Sequence, residues 1–216
     1  MRIVYISIIF VLFAVLLLPF LLSFFIKDIP NDTQPSLEGT QIIYKEVTAS
    51  QYFISKMNNL SGFGMSIKNP YFRNRKNLTL NLYSEDKKLL RTINLNGANI
   101  PDGDFIKIQF EPIRDSKDMK YYFQFLAPDT ESSESPEVFL TSQKRLWVGD
   151  LYINSKKQDS NFSFIIYYKS SNLLTTSSEI FIQWGKRLFA DLPFALFYSF
   201  LILSLSSYLV WHKLRN

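Results

Sequence analysis

Residues Ile3 to Ile26, IVYISIIFVLFAVLLLPFLLSFFI, form a run of 24 positions without a charged side chain. As a helix it rises about 36 Å, enough to cross the hydrocarbon core of a bilayer. A secretory signal peptide has a shorter apolar core and a small-residue cleavage site, whereas this run ends in the bulky SFFIKDIP, so it reads as an uncleaved anchor. Pro19 lies inside it and is tolerated where neighbouring groups re-satisfy the backbone.

A second uncharged run, Leu192 to Trp211, LPFALFYSFLILSLSSYLVW, is also long enough to span. Pro193 falls in a first helical turn, Trp184 and Trp211 suit the two interfaces, and HKLRN closes the chain with cations. Ser204, Ser206 and Ser207 either bond back to their own helix or face another one. The expected organisation is an N-terminal transmembrane anchor at 1–27, a stalk at 28–40, a soluble domain at 41–187, a transmembrane helix at 188–211 and a short tail at 212–216. Arg2, Lys213 and Arg215 flank the outer ends of the runs and Lys27, Lys186 and Arg187 the inner ends, so charge alone does not choose a side. A two-residue leader before an apolar run delivers the following chain outward, and long domains translocate largely regardless of charge. The expectation is therefore a two-span protein of the cell membrane, both termini cytoplasmic and the central domain extracytoplasmic.

The chain has no cysteine, so that domain must hold itself together without disulfides. Residues 27–187 carry 21 of the 24 cations and 18 of the 19 acids, a balance too mild to indicate a nucleic-acid partner.

After the stalk, which is polar and holds Pro30 and Pro35, apolar residues recur with period two. LTLNLYS sets Leu78, Leu80 and Leu82 against Thr79, Asn81 and Tyr83, and FIKIQFE sets Ile106, Ile108 and Phe110 against Lys107, Gln109 and Glu111. QIIYKEV, QYFIS, GMSIK, LLRTINL, KYYFQFL, LWVGDLYI, FSFIIYY and EIFIQW bring the expected strands to about ten. Short strands separated by Asn, Gly, Asp, Pro and Ser turns predict a mainly β fold, an antiparallel β-sandwich of jelly-roll type, flanked by the two transmembrane helices. PDTESSESP, 128–136, reads as a flexible surface loop within that domain. FEPIRDSKDMKYYFQF, 110–125, reads as a β-hairpin whose first strand ends at Pro112 and whose acids sit at the turn.

The succession QYFISKMNNLSGFGMSIKN, LTLNLYSEDKKLLRTINLNG and DGDFIKIQFEPIRDSKDMKYYFQFLAP resembles the carbohydrate-binding-module type of jelly roll over 41–184. Similar extracytoplasmic modules accompany bacterial membrane glycosyltransferases. The resemblance implies a glycan-facing surface and transfers no individual ligand residue.

Chemistry is mostly excluded. The single histidine, His212, lies in the tail, so a Ser-His-Asp or Cys-His nucleophile, a His-rich zinc site and a His general base are unavailable to the domain. A carboxylate pair from Glu111, Asp115 and Asp118, or Asp102 with Asp104, needs no histidine, but Asp-Gly and Asp-Ser are turn formers. The same loops hold oxygen ligands for calcium without a recognisable calcium-loop spacing. No cofactor and no catalytic residue is expected. For binding, Tyr71, Phe72, Arg73 and Arg75 in NPYFRNRKN, and Lys144, Arg145 and Trp147 in QKRLWVGDLY, combine aromatic rings with cations, as an acidic glycan requires; the alternative is that the rings complete the core. The expected partners are the lipid bilayer, a cell-envelope glycan and another integral membrane protein. The expected function is glycan or surface-partner binding, the alternative being an accessory subunit of a membrane glycosyltransferase or polysaccharide exporter.

Overall fold

The structure, a computed structural model, describes residues 28–170 and 173–215; the first expected span, 1–27, lies outside the described residues. The chain divides into a β unit, 30–169, and a unit that contains the helices after residue 170.

The strands are β1 (Asp28–Pro30), β2 (Gly39–Ile42), β3 (Ala49–Ile54), β4 (Leu60–Lys68), β5 (Asn77–Ser84), β6 (Leu89–Asn96) and β7 (Phe105–Ile113). They continue with β8 (Lys120–Leu126), β9 (Glu137–Thr141), β10 (Val148–Ile153), β11 (Lys156–Lys157), β12 (Asn161–Phe162) and β13 (Phe164–Lys169). One sheet has seven strands in the order β1-β13-β4-β9-β12, with β7 added to β4 and β2 to β9; the other has six, β11-β10-β3-β8-β5-β6. The ladders of β3, β4, β5, β8 and β9 are antiparallel throughout. The β unit is thus a β-sandwich, as period-two patterning with one wet face requires.

The core lies between the sheets. Leu78, Leu80 and Leu82 of β5 and Phe123 and Phe125 of β8 are fully buried and meet Phe63, Met65 and Ile67 of β4 and Phe164 and Ile166 of β13. Phe63 and Phe123 lie 5.0 Å apart between ring centroids, and Phe123 meets Phe164 edge-on at 5.2 Å. Each such ring contributes roughly 1.5–3 kcal/mol on burial, and the ring pairs somewhat more. β4 is buried on both faces. Its outward Gly64 lies against the rings of Phe105 and Tyr167, and an added Cβ, 2.2 Å and 2.9 Å from them, would have to push them aside.

Several expectations are corrected. β7 and β8 are not a hairpin: β7 pairs with β4 in one sheet, and β8 pairs with β3 and β5 in the other. Residues 114–119 therefore arch between the layers. Alternation reports only which side chains point inward, and in a sandwich both sheets point them into the same core. Pro112 does not end β7 but sits in a bulge, where Gln109 and Ile113 oppose Gly62 and Leu60. The segment expected as a stalk is strapped to the sandwich: the hydroxyl of Ser163 donates to the Pro35 carbonyl, Gln34 donates to Ser66 Oγ, and Glu38 N donates to the Leu140 carbonyl. Nor does 128–136 behave as an untethered loop. Thr130 and Ser135 are buried, Ser132–Glu134 form a 3₁₀ turn, and the Thr130 and Pro136 carbonyls accept from Lys45 N and Ile43 N. In QIIYKEV only the start belongs to a strand, and β9, which no alternation announced, joins β2, β4 and β12.

EIFIQW is helical. It belongs to α1 (Leu173–Ala190), which is followed by α2 (Leu192–Arg215). Six residues are too few to separate period two from 3.6; over the longer window Ser177, Ile180, Phe181, Trp184 and Leu188 share one more-buried face of α1. Asp191 separates the helices and caps the second, its Oδ1 accepting from Phe194 N at 3.1 Å. Trp184 meets Tyr198 edge-on at 5.4 Å. Among the described residues no single helix is long and apolar enough to cross a membrane; Ile180–Ala190 and Leu192–Ser204 together are, bent by 104°.

Candidate functional site

The seven candidate binding residues do not form one site. Tyr71 to Arg75 follow the end of β4, whereas Trp147 lies beside its beginning: the Trp147 carbonyl accepts from Ile54 N at the end of β3, and residues 55–59 lead from there into Leu60. A strand of nine residues, about 30 Å, separates the two groups.

At the first end a buried polar knot shapes the loop. Asn69 Nδ2 donates to the carbonyls of Asn74 (2.9 Å), Gly97 (2.9 Å) and Ile100 (3.3 Å), and Asn69 Oδ1 accepts from Asn74 N at 2.9 Å. Asn74 Nδ2 continues the knot to Thr130 Oγ1. The Asp102 carboxylate accepts from Asn69 N, a turn-forming role. This scaffold holds Tyr71 and Phe72 at φ of 55° and 51°, left-handed backbone that non-glycine residues adopt only under constraint. Tyr71 is 98% exposed, so both faces of its ring are open. Arg73 is turned back onto Glu137 and the Ser135 carbonyl, and Lys76 onto Glu134, while Arg75 is exposed.

At the other end the expectation for Trp147 is corrected. The indole is 3% exposed, packs edge-on against Phe164 and lies beneath Lys56 and Arg145. It completes the core and offers no face to a ligand. Arg145 is paired with Asp32 at 3.2 Å and donates to the Thr33 carbonyl, and Lys144 is exposed.

The acids of the arch are exposed, but Ser116 between them is buried, donating to the Met57 carbonyl and accepting from Leu60 N. Among the described residues no three His, Cys, Asp or Glu side chains gather as a metal site.

Sequence reasoning passed over the outer face of the six-stranded sheet. Tyr52, Tyr122 and Tyr83, on β3, β8 and β5, are direct cross-strand neighbours. Tyr52 and Tyr122 stack with centroids 4.9 Å apart and 30° between planes, and Tyr122 and Tyr83 at 4.9 Å and 8°. Tyr152 of β10 meets Tyr52 edge-on at 5.7 Å. Since 4.9 Å is also about the spacing of neighbouring strands, the rings stand side by side. The row covers its own ring faces and leaves Tyr52, at one end, 37% exposed. None of the four hydroxyls has a hydrogen-bond partner among the described residues. Desolvation, and then the neighbouring Tyr52 and Tyr83, push the Tyr122 phenol above its ordinary value, so it keeps its proton.

Beside this row runs a second one of Ser50, Gln124, Asn81 and Thr92, then Leu126, Thr79 and Asn94. Thr92 donates to Asn81 Oδ1 and Thr79 to Asn94 Oδ1, which fixes both carboxamides. Gly149 makes room for Tyr52, whose Cβ would lie 2.9 Å from an added Cβ. The result is a sheet face whose two central rows carry hydroxyls, carboxamides and ring edges without charge, while Lys157, paired with Asp150, and Lys120, paired with Glu85, lie at its margins. Its signal in the sequence was a tyrosine at an outward position in each of QYF, LYS, YYF and LYI.

No known family and no curated protein matches the chain. Among solved structures, a clostridial cysteine protease, Cwp84, after propeptide cleavage is similar at 13% identity and a TM-score of 0.45, over 64% of this chain and 40% of that one. The cysteine protease and lectin-like domains of Cwp84, a surface layer associated protein of Clostridium difficile, are similar at 12% identity and a TM-score of 0.42, over 58% and 32%. The carbohydrate-binding module CBM36 in complex with calcium and xylotriose is similar at 14% identity and a TM-score of 0.27, over 66% and 99%. The chain spans less than half the length of either Cwp84 structure. Likeness at this level carries no argument about function.

Proposed function

We propose that the protein is a membrane-attached, non-enzymatic β-sandwich that binds a neutral cell-envelope glycan on the outer face of its six-stranded sheet. The observation that carries this reading is the row of Tyr52, Tyr122 and Tyr83 with unpartnered hydroxyls, flanked by Gln124 and the fixed carboxamides of Asn81 and Asn94. A polyhydroxyl ligand exchanges its hydrogen bonds to water for bonds to such groups, and the absence of charge on the central rows suits a neutral polymer. Tyr71, with both ring faces open and Arg75 nearby, supplies a separate stacking contact; Phe72, Arg73, Lys144 and Arg145 are peripheral to the sheet face.

Membrane attachment by two spans, with both termini cytoplasmic and the sandwich outside, rests on the uncharged runs at 3–26 and 192–211. It is supported by α2, which leaves Leu196, Phe197, Phe200 and Leu203 each at least 62% exposed, an apolar surface that water disfavours. The same surface favours a second reading, an accessory subunit that packs on another membrane protein.

The test is to present the full-length protein, in nanodiscs, to an array of neutral and acidic envelope glycans. Neutral glycans should be retained. The triple variant Tyr52→Phe, Tyr122→Phe, Tyr83→Phe keeps the rings and should weaken retention at least about tenfold, since each lost hydrogen bond removes about 1 kcal/mol. No retention of any glycan, together with a stoichiometric partner after mild extraction, would replace this reading with the second.

A further inference from the structure

The end of the sandwich where the chain leaves β13 is basic and carries exposed apolar side chains. Three loops and the exit are laced together there: Ser55 N donates to the Met119 carbonyl, Asp118 N to that of Ser55, Asn59 N to that of Arg114, Ile54 N to that of Trp147, and Lys169 N to that of Asn59. Lys117 N donates to Asn58 Oδ1. The β5–β6 turn joins the same end, because Ser84 is paired with Tyr121 and Lys120 forms an ion pair with Glu85 at 3.0 Å.

Segments 55–59, 84–88, 114–120 and 142–147 with Lys169 hold nine cations and four acids, while the remainder of 30–169 holds nine cations and twelve acids. The positive charge of the β unit is therefore concentrated at one end. Arg145 is paired with Asp32 and Lys120 with Glu85. Arg114, Lys117, Lys144 and Lys169 are exposed. Among them Leu146 is 101% exposed and Met119 54%. Leu146 follows Lys144 and Arg145 directly, and the buried Trp147 fixes its base.

We propose that this end docks on the surface of an anionic bilayer, with Leu146 and Met119 entering the headgroup region and Arg114, Lys117, Lys144 and Lys169 meeting lipid phosphates. A fully exposed leucine ringed by cations is unfavourable in water and suited to an interface that is negatively charged outside and apolar beneath. Chain continuity favours a membrane over a protein partner, because the chain runs from Lys169 directly into α1 and through it into the apolar α2. The inference rests on the membrane attachment proposed above.

The chain has no cysteine, so one introduced residue can be labelled alone. Full-length Leu146→Cys, and Ala98→Cys at the opposite end, would each carry an environment-sensitive fluorophore in nanodiscs of phosphatidylcholine with or without phosphatidylglycerol. Position 146 should be quenched by lipid-borne quenchers at least twofold more than position 98 when phosphatidylglycerol is present, and the difference should shrink at high salt and in Lys117→Glu and Lys144→Glu variants. Position 146 as unquenched as position 98 in anionic discs would overturn the docking alone. Equal quenching in neutral and anionic discs would overturn the assignment to anionic lipid. Failure of the full chain to enter discs at all would overturn the membrane attachment and the docking with it.

Discussion

The side-chain amide of Gln51 bonds the backbone of Phe162 across the sandwich: Gln51 Oε1 accepts from Phe162 N at 3.0 Å. Gln51 Nε2 meanwhile donates to the carbonyls of Gly149 (2.9 Å) and Tyr52 (3.0 Å) in its own sheet. Gln51 is completely buried, so one polar side chain in the core couples β3 and β10 to β12.

Replacing it tests that coupling. Gln51→Leu keeps the volume but leaves Phe162 N without its acceptor, and it should cost about 2 kcal/mol in urea unfolding. A loss under about 0.5 kcal/mol would mean that water substitutes for the amide.

Trp147 and Tyr71 should separate cleanly in stability. Trp147→Ala opens a cavity against Phe164 and should cost about 3–5 kcal/mol, whereas Tyr71→Ala should stay within about 0.5 kcal/mol of the parent. Tyr71→Gly should raise stability by up to about 1 kcal/mol, because glycine relieves the left-handed backbone at φ 55°. Thermal or urea midpoints read all three.

Gly97→Ala should disturb the loop that presents Tyr71. An added Cβ would lie 2.6 Å from the Lys76 carbonyl oxygen and 2.7 Å from Asn74 Oδ1, each of which is held in a hydrogen bond, from Gly97 N and Lys76 N respectively. A loss of about 1–3 kcal/mol is expected, with faster amide exchange across 69–76 but not across β8. Uniformly faster exchange would show that the knot is part of the global core.

Alkaline pH should destabilise the β unit through Tyr168. Its hydroxyl is buried and accepts from Lys56 N at 2.8 Å; burial raises its pKa and outweighs the hydrogen bonds that lower it. The folded chain thus holds a proton that the unfolded chain has released, so stability is complete below the unfolded phenol value, about 10, and declines as pH rises above it. Tyr168→Phe should cost about 1 kcal/mol at neutral pH, by stranding Lys56 N, and should flatten the alkaline decline. Urea midpoints at neutral pH and at about pH 11 compare the two proteins.

Much of the fold was legible. Strands β5, β7 and β8 occur where alternation places them, and Leu80, Ile108 and Phe123 point inward as it requires. The helical 173–190 was misread because Ile180, Ile182 and Trp184 alternate over six residues, while the spacing of Ser177, Phe181 and Leu188 emerges only over a longer window. The hairpin at 110–125 was misread because inward-facing residues are the same for strands in one sheet and for strands in facing sheets. The site was less legible still. Tyr71 stands out beside cations in one short segment, but Trp147 looked equivalent until its neighbours from β13 were placed.

By itself the sequence determined the facing of each residue along its strand, the lack of disulfides and of a histidine in the β unit, and the uncharged runs near the two ends. The pleat of the extended backbone sets side-chain alternation within a single strand, so that information is local. Only the tertiary structure decided that Tyr52, Tyr122 and Tyr83 are adjacent and that the loops around Leu146 and Lys117 share one end. Both depend on strand order, which follows from closing long loops and packing two sheets over one core, and no short stretch of chain contains it.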